Sequence, residues 1–294
     1  MENLDNWRKA GKIAAEALAY GKSLIRPGAS LLEVTEKIEK KISELGGVPA
    51  FPVQISCNEI AAHYCAYSDD KIIFKDQLIN LDIGVSIEGM IGDTACCIDL
   101  SGKNKHFVEA AEKALEAAIE AVKQKKSLGE IGKAIQEAIE SYGLSPVRNL
   151  SGHGLTINNI HTSPSIPNYD NHDSKKLKDQ FIAIEPFATN GKGLIYESGE
   201  ANIFSLKNKK PLRNPVTRKI LKEIESYEGK PFCTRWLEKK FHKGYVNLAI
   251  REMLNLDMLN EYPPLPDQNK GLVSQAEHSL YIDKDGKVEI LTKL

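Results

Sequence analysis

Two stretches of this chain carry the same set of helix signals, 97 residues apart. One begins at Ser30 and ends at Gly46, and the other begins at Ser127 and ends at Gly143. Each opens with a serine followed three residues later by a glutamate, which is a capping box, and each closes with a glycine of the kind that ends helices. Three β-branched apolar residues match at the same offset: Val34, Ile38 and Ile42 in the first stretch, and Ile131, Ile135 and Ile139 in the second.

This match limits the chain to folds with two similar halves. Any two amphipathic helices share a general spacing, but that alternative does not explain why the caps and the interior match in one register. The preceding helices also correspond, since Ala14 and Ala17 fall on Ala111 and Ala114. We therefore predict an α+β fold built from a duplicated α-α-β unit, with halves related by a pseudo-two-fold axis and a ligand site between them.

The character of the sequence changes after residue 206, where a polar segment begins. Short stretches with helical spacing follow, and β-like stretches then return: helical at about 215–227, 233–241 and 245–254, and β-like at 271–282 and 287–293. A plain C-terminal helical region is one interpretation. The return to strands favours another, a helical insertion at about 207–262 within a single domain that spans residues 1–294.

Composition excludes several classes of function. With 39 basic and 40 acidic residues the formal net charge is −1, so the chain lacks the basic excess of a dedicated nucleic-acid-binding protein. No stretch approaches the roughly 18 apolar residues of a membrane span, and residues 1–5 lack the apolar core of a signal peptide. Five cysteines, with Cys96 and Cys97 adjacent, make a poor disulfide framework. We expect a cytoplasmic protein with reduced thiols and with no membrane or nucleic-acid partner.

Two aspartates stand in a predicted β-hairpin, where alternating apolar runs flank Glu88-Gly89. If these two residues form the turn, Asp82 and Asp93 are diagonal neighbours. If the turn is centred one position earlier, they face each other directly. Either register puts both carboxylates on one face, because side chains alternate with period two. Such a pair is costly to desolvate, and a divalent cation would relieve that cost, unless the shared face is the solvated one.

Further candidate groups follow along the chain. His153 lies between two glycines, where the backbone can pass close to a bound group, and Glu185 ends an apolar strand and is held extended by the following proline. Glu277 lies in another strand-like run. With the two aspartates, these residues form an oxygen-rich set with one imidazole, which suits two hard or borderline divalent ions. His63 and His161 are 98 residues apart, within one residue of the repeat, and are candidates for equivalent positions facing one cleft.

Taken in order, these segments resemble the methionine aminopeptidases of the pita-bread fold, and among them the type II form without a long N-terminal extension. The resemblance covers nearly the whole chain from about residue 7. It is carried by the segments NLDIGVSIEGMIGDTA, SGHGL, IHTSPSIPN, AIEPFATNGKG, YPPL and AEHSL. The predicted insertion is what separates type II from type I. The resemblance implies a pita-bread (creatinase/aminopeptidase) fold and five metal ligands: Asp82, Asp93, His153, Glu185 and Glu277.

The resemblance also implies the reaction. It is the removal of the N-terminal methionine from nascent polypeptides whose second residue is small, by attack of a hydroxide that bridges two divalent ions on the scissile carbonyl. Cobalt, manganese, iron and zinc all tolerate this ligand set. Glu185 would also shuttle a proton, His161 would stabilise the oxyanion, and His63 would contact the scissile nitrogen. The implied substrate-binding positions are Phe51, Pro52, His63, Ile160, His161, Phe187, Ile203 and Tyr262.

Other functions on the same fold stay open at this stage. A proline-specific aminopeptidase or prolidase normally carries an extra N-terminal domain, for which the position of Ser30 leaves no room. Non-catalytic pita-bread binding proteins lose metal ligands that this chain keeps.

Plain core packing is the alternative role for Phe51 and Phe187. Ile203 and Ala276 depart from residues common in type II enzymes and would reshape the pocket. We expect a monomer, and transient association with the ribosome is compatible with the resemblance.

Overall fold

The computed structural model describes residues 4–294, so residues 1–3 of the polar N-terminus lie outside the described part of the chain. The helices are α1 (Leu4–Leu24), α2 (Leu31–Glu44), α3 (Lys105–Lys123), α4 (Leu128–Glu140), α5 (Pro215–Glu225), α6 (Thr234–Glu238) and α7 (Lys243–Asn255). The strands are β1 (Val48–Pro49), β2 (Gln54–Cys57), β3 (Leu78–Ile87), β4 (Met90–Asp99), β5 (Ser145–Pro146), β6 (Ser151–Thr156), β7 (Asn159–Pro167), β8 (Gln180–Ile184), β9 (Phe187–Thr189), β10 (Ile203–Leu206), β11 (Phe232–Cys233), β12 (Leu259–Tyr262), β13 (Val273–Gln275), β14 (Glu277–Ile282) and β15 (Val288–Ile290).

Both predicted helix starts are confirmed, and they differ in detail. At Ser127 the capping box is complete, because Ser127 Oγ accepts from the Glu130 amide and the Glu130 carboxylate accepts from the Ser127 amide at 2.8 Å. At Ser30 the hydroxyl accepts from the Glu33 amide at 3.4 Å. The Glu33 carboxylate lies 3.8 Å from Lys37 Nζ, one turn further along the helix.

A nine-stranded antiparallel sheet forms the centre of the molecule. Its main path runs β1-β3-β4-β14-β8-β6-β7, with β2 added to β3 and β15 added to β14. Helices α1 and α2 bury one apolar cluster against the sheet, and α3 and α4 bury a second one. The 97-residue offset extends to strands, since it carries β1 onto β5 and the start of β2 onto the start of β6. The predicted α+β fold with two similar halves is confirmed.

Helices α5, α6 and α7 lie between β10 and β12, close to the positions predicted for three short helices. They surround a separate three-stranded sheet in the order β11-β10-β12 and share an apolar cluster with it. This small sheet begins at Ile203, before the predicted insertion boundary, and the domain limits themselves stay a prediction. Arg235 on α6 is buried and donates to both carboxylate oxygens of Glu39 on α2, at 2.8 and 2.6 Å, which ties this subdomain to the first half.

Candidate active site

The hairpin formed by β3 and β4 sets the relative positions of the two aspartates. Ile87 pairs with Met90, so Glu88-Gly89 forms the two-residue turn. Both turn residues have positive φ, +50° and +86°, which is the geometry that matches the twist of a tight hairpin. Asp82 and Asp93 are therefore diagonal neighbours on one face of the sheet. Of the two registers that the sequence allowed, the structure selects this one.

The neighbouring strands bring three more candidate ligands to the same face. Glu277 on β14 lies opposite Ala95 of β4, which lies opposite Asp82 of β3. Strand β8 pairs with the other edge of β14, and this register brings Glu185, the residue after β8, beside Glu277. Strand β6 pairs with β8 so that His153 projects from the same face. The five residues nominated from sequence thus meet in the middle of the sheet, although they come from five separate segments.

The imidazole of His153 directs a nitrogen lone pair toward carboxyl oxygens of Asp93 and Glu185. Its Nδ1 lies 3.2 Å from the carbonyl oxygen of Gly154, to which it donates, so Nε2 carries the lone pair. Burial lowers the pKa of His153 to about 3, and the ring is neutral at ordinary pH. Yet Nε2 lies 3.8 Å from Asp93 Oδ2 and 3.6 Å from Glu185 Oε1. A cation among these atoms would turn mutual repulsion into coordination.

The carboxylates of the cluster lead to the same conclusion. Burial raises the pKa of Asp82 to about 7, and Asp82 Oδ1 is buried without a hydrogen-bond partner among the described residues. Burial, followed by the charges of the neighbouring acids, raises the pKa of Asp93, Glu185 and Glu277 well above the usual range. Ligand atoms of Asp93, His153 and Glu277 all lie within 4.8 Å of one another. This donor set fits divalent cations, for which carboxylate oxygens and imidazole are suitable ligands.

A cavity of about 410 Å³ opens over the cluster, and two more histidines line it. His63 has a left-handed backbone, with φ +67°, and its amide donates to Gln54 Oε1 at 2.6 Å. Its Nδ1 donates to the Pro263 carbonyl oxygen at 3.2 Å, which leaves Nε2 as an acceptor. Burial lowers the pKa of His63 to about 4. The ring of His161 lies edge-on to that of His153, with the centroids 4.7 Å apart.

Most of the substrate-binding positions nominated from sequence line this cavity. Those that do so are Phe51, His63, Ile160, His161, Phe187, Ile203 and Tyr262. Pro52 is buried but is not among the lining residues. It directly follows Phe51, between β1 and β2. We call the apolar members of this lining the apolar wall.

Several lining residues were missed by the sequence analysis. Gln54 and Ser151 both line the cavity and are 97 residues apart, so the repeat offset could have nominated them as a pair. Gln275 supports the cluster, because its Nε2 lies 3.4 Å from Glu185 Oε2. Pro231 also lines the cavity and comes from the helical segment. No sequence signal shows that this segment reaches back to the centre of the molecule.

Comparison with known proteins agrees with this geometry. The model of metallopeptidase family M24 matches residues 5–207. The methionine aminopeptidase of Methanocaldococcus jannaschii is 42% identical over 296 residues, covering 100% of this chain and 99% of that protein. The methionine aminopeptidase of Archaeoglobus fulgidus is 44% identical over 288 residues, covering 97% of each. The crystal structure of methionine aminopeptidase from Rickettsia prowazekii superposes with a TM-score of 0.71 at 24% identity, covering 99% of this chain and 97% of that one.

Proposed function

Because this chain belongs to metallopeptidase family M24 and has the pita-bread fold, we propose that it is a metal-dependent methionine aminopeptidase. Its substrates would be polypeptides with an N-terminal methionine and a small second residue. Relatives that match it over nearly their whole length carry the name of this enzyme. The observation that carries the proposal is the meeting of four carboxylates and one neutral imidazole beneath a cavity with an apolar wall.

The ligand set proposed for two divalent ions consists of Asp82, Asp93, His153, Glu185 and Glu277. Bound ions would supply Lewis acidity toward the scissile carbonyl and lower the pKa of a coordinated water. The four carboxylates of the protein supply negative charge that offsets the positive charge of the ions. It also supplies a rigid sheet on which the ligands stand, since four of the five lie within strands. The fifth, Glu185, directly follows β8 and is held by the adjoining Pro186.

Three side chains would handle the substrate itself. His63 Nε2, an acceptor because Nδ1 is engaged by the Pro263 carbonyl, would accept from the N–H of the scissile peptide bond. His161 would donate to the oxygen on which negative charge develops. Glu185 would accept a proton from the attacking water and pass it to the leaving amine.

The apolar wall would receive the methionine side chain. Phe51, Ile160 and Phe187 are at most 5% exposed, and Ile203 and Tyr262 complete the wall. An unbranched thioether can adapt to such a surface through its three rotatable bonds. Because the second substrate residue would lie close to the acidic cluster and the two histidines, a small side chain is expected there.

The setting of the reaction is part of the same proposal. Among the described residues, no helix is both long and apolar enough to cross a bilayer. All five cysteines are free. We propose that the protein acts in the cytoplasm as a monomer on nascent chains, with at most a transient contact with the ribosome.

A peptide assay with defined metals tests the proposal. Protein freed of metal with a chelator should cleave Met-Ala-Ser only after manganese, iron, cobalt or zinc is restored. N-acetyl-Met-Ala-Ser and Met-Leu-Ser should resist cleavage, because one lacks the free amine and the other has a large second residue. Preferential cleavage of Xaa-Pro dipeptides would point to a proline-specific peptidase instead. Absence of cleavage together with absence of stoichiometric metal would point to a binding protein.

A further inference from the structure

Three turns from distant parts of the chain meet at the edge of the cavity. They are the β3–β4 turn at Gly89, the β6–β7 turn at Asn158, and the loop at 228–231 that precedes β11. The Asn158 amide donates to the Gly89 carbonyl oxygen at 2.8 Å. Lys230 Nζ donates to Asn158 Oδ1 at 3.0 Å and to Glu228 Oε2 at 2.9 Å. We call this meeting point the rim junction.

The rim junction contains a feature that plain packing would not require. The Lys230 side chain is only 7% exposed, and its charged partner Glu228 is 62% exposed. Burying an ammonium group is costly unless specific partners compensate it, and an apolar side chain would fill the same space at lower cost. The left-handed backbones of Asn158 and Glu88, with φ +58° and +50°, are those of tight hairpin turns, so the buried ammonium group is the feature that calls for an explanation.

The junction adjoins two parts of the cavity lining, which we call the Pro231 wall and the Ile160 wall. Pro231 directly follows Lys230 and lines the cavity from the helical segment. Ile160 and His161 follow Asn158 by two and three residues and line it from β7. The hydrogen bond from Lys230 to Asn158 therefore joins the two walls at one point. The helical segment has other ties, among them those of Arg235 to Glu39 on α2 and of Lys243 to Asp69, and these go to the first half of the chain and not to β7.

We propose that Lys230 is a positioning residue that holds the Pro231 wall at a fixed separation from the Ile160 wall. It thereby sets the width of the pocket that receives the first residue of the substrate. This inference rests on the proposed function for its kinetic consequence. Its structural content, one lysine holding two walls together, does not depend on that function.

The test compares Lys230→Met with Lys240→Met. Lys240 is an exposed lysine of the same segment that bonds Glu223 at 2.7 Å, so its variant controls for loss of a charge. In Lys230→Met we expect KM for Met-Ala-Ser to rise roughly five- to tenfold with kcat within about twofold, the pattern of lost uniform binding. The preference for methionine over norvaline as first residue should fall by a similar factor. Lys240→Met should match the wild type in all three measurements.

Variants at Asn158 identify the contact. Asn158→Gly is compatible with the left-handed backbone and removes the acceptor together with the rest of the side chain, so it should reproduce the KM effect. Asn158→Asp keeps an acceptor and should behave like the wild type. The double variant Lys230→Met/Asn158→Gly should be no worse than either single variant, because both remove one interaction.

Amide hydrogen exchange separates failure of this inference from failure of the proposed function. Exchange at residues 157–162 and 228–233 should quicken in Lys230→Met and not in Lys240→Met. A Lys230→Met protein with a lower melting temperature but unchanged KM, substrate preference and exchange would overturn the inference. If the wild type cleaves no methionyl peptide, the proposed function fails, and the exchange data still decide whether Lys230 joins the walls.

Discussion

The Nε2 atom of His153 lies 3.6 Å from Oε1 of Glu185, and the neutral imidazole has no proton to donate to that oxygen. Nδ1 of the same ring already donates to a backbone carbonyl, so the ring cannot turn a donor toward the acid without losing that bond. An imidazole lone pair held this close to several buried carboxyl groups on a rigid sheet is the arrangement that a bound cation requires. The structural consequences of that charge can be tested separately from catalysis.

Asp93→Asn should abolish metal-dependent peptidase activity and lower metal content. In chelated protein the same change should raise the melting temperature, because it keeps the shape of the side chain and removes an acid whose ionised form is destabilised by burial and by the neighbouring acids. Elemental analysis and thermal unfolding with and without chelator measure both effects, and exposed Asp76→Asn serves as the control. Full activity with normal metal content in Asp93→Asn would contradict the ligand assignment.

Metal-free protein should lose stability as pH rises from about 7.5 to 8.5. In this window the unfolded chain has already lost its carboxyl protons and nearly all of its histidine protons. The folded state still binds protons, because burial raises the pKa of Asp82 to about 7 and raises the pKa of Glu277 and its acidic neighbours well above the usual range. Raising the pH therefore removes stability through the folded-state pKa values. Below about 7.5 the lowered pKa values of His63 and His153 act in the opposite direction and oppose this slope, because the unfolded chain then binds histidine protons that the folded state does not.

Chemical denaturation of chelated protein at several pH values checks this expectation. Adding a saturating divalent metal should remove the slope above pH 7.5, and Asp93→Asn should reduce it. A metal-free protein whose unfolding free energy is constant or rises across this window would show that the carboxylates are not held protonated.

His161→Ala should retain metal and lower kcat by roughly two to three orders of magnitude, the range found for loss of one oxyanion donor. The reason is geometric: the ring lines the cavity and packs edge-on to His153, with no place in the acidic cluster itself. Single-turnover kinetics and metal analysis on the same sample measure the two properties. Loss of metal from this variant would mean that His161 is a ligand.

The parts of this structure that sequence could predict are those controlled by local signals. Helices α2 and α4 begin where serine caps require and end at glycines, and the duplication follows from their shared register. Sequence could not decide between the two hairpin registers, because both turn positions put Asp82 and Asp93 on the same face of the sheet. The meeting of Glu185, Glu277 and His153 depends on the strand order β4-β14-β8-β6, which is not chain order, and only family resemblance indicated it. The sequence could not predict that Pro231 lines the cavity, because its position depends on how the helical segment packs against the rest of the chain.

Gly84→Ala offers a test of the apolar wall that leaves every proposed ligand in place. Gly84 lies opposite Asp93 in the hairpin, and a Cβ atom there would overlap the ring of Phe51. Because Phe51 is 4% exposed and lines the cavity, the ring can yield mainly by moving into the space proposed for the methionine side chain. We expect KM for Met-Ala-Ser to rise about tenfold or more, with a stability loss of about 1–3 kcal/mol from overpacking. Metal content should not change.

A second change, Phe51→Leu, in the same chain should make room for the new methyl group. It should reverse much of the rise in KM and of the loss of stability, measured by steady-state kinetics and thermal unfolding. If Gly84→Ala lowers stability but leaves KM unchanged, Phe51 is a core residue and not part of the substrate pocket.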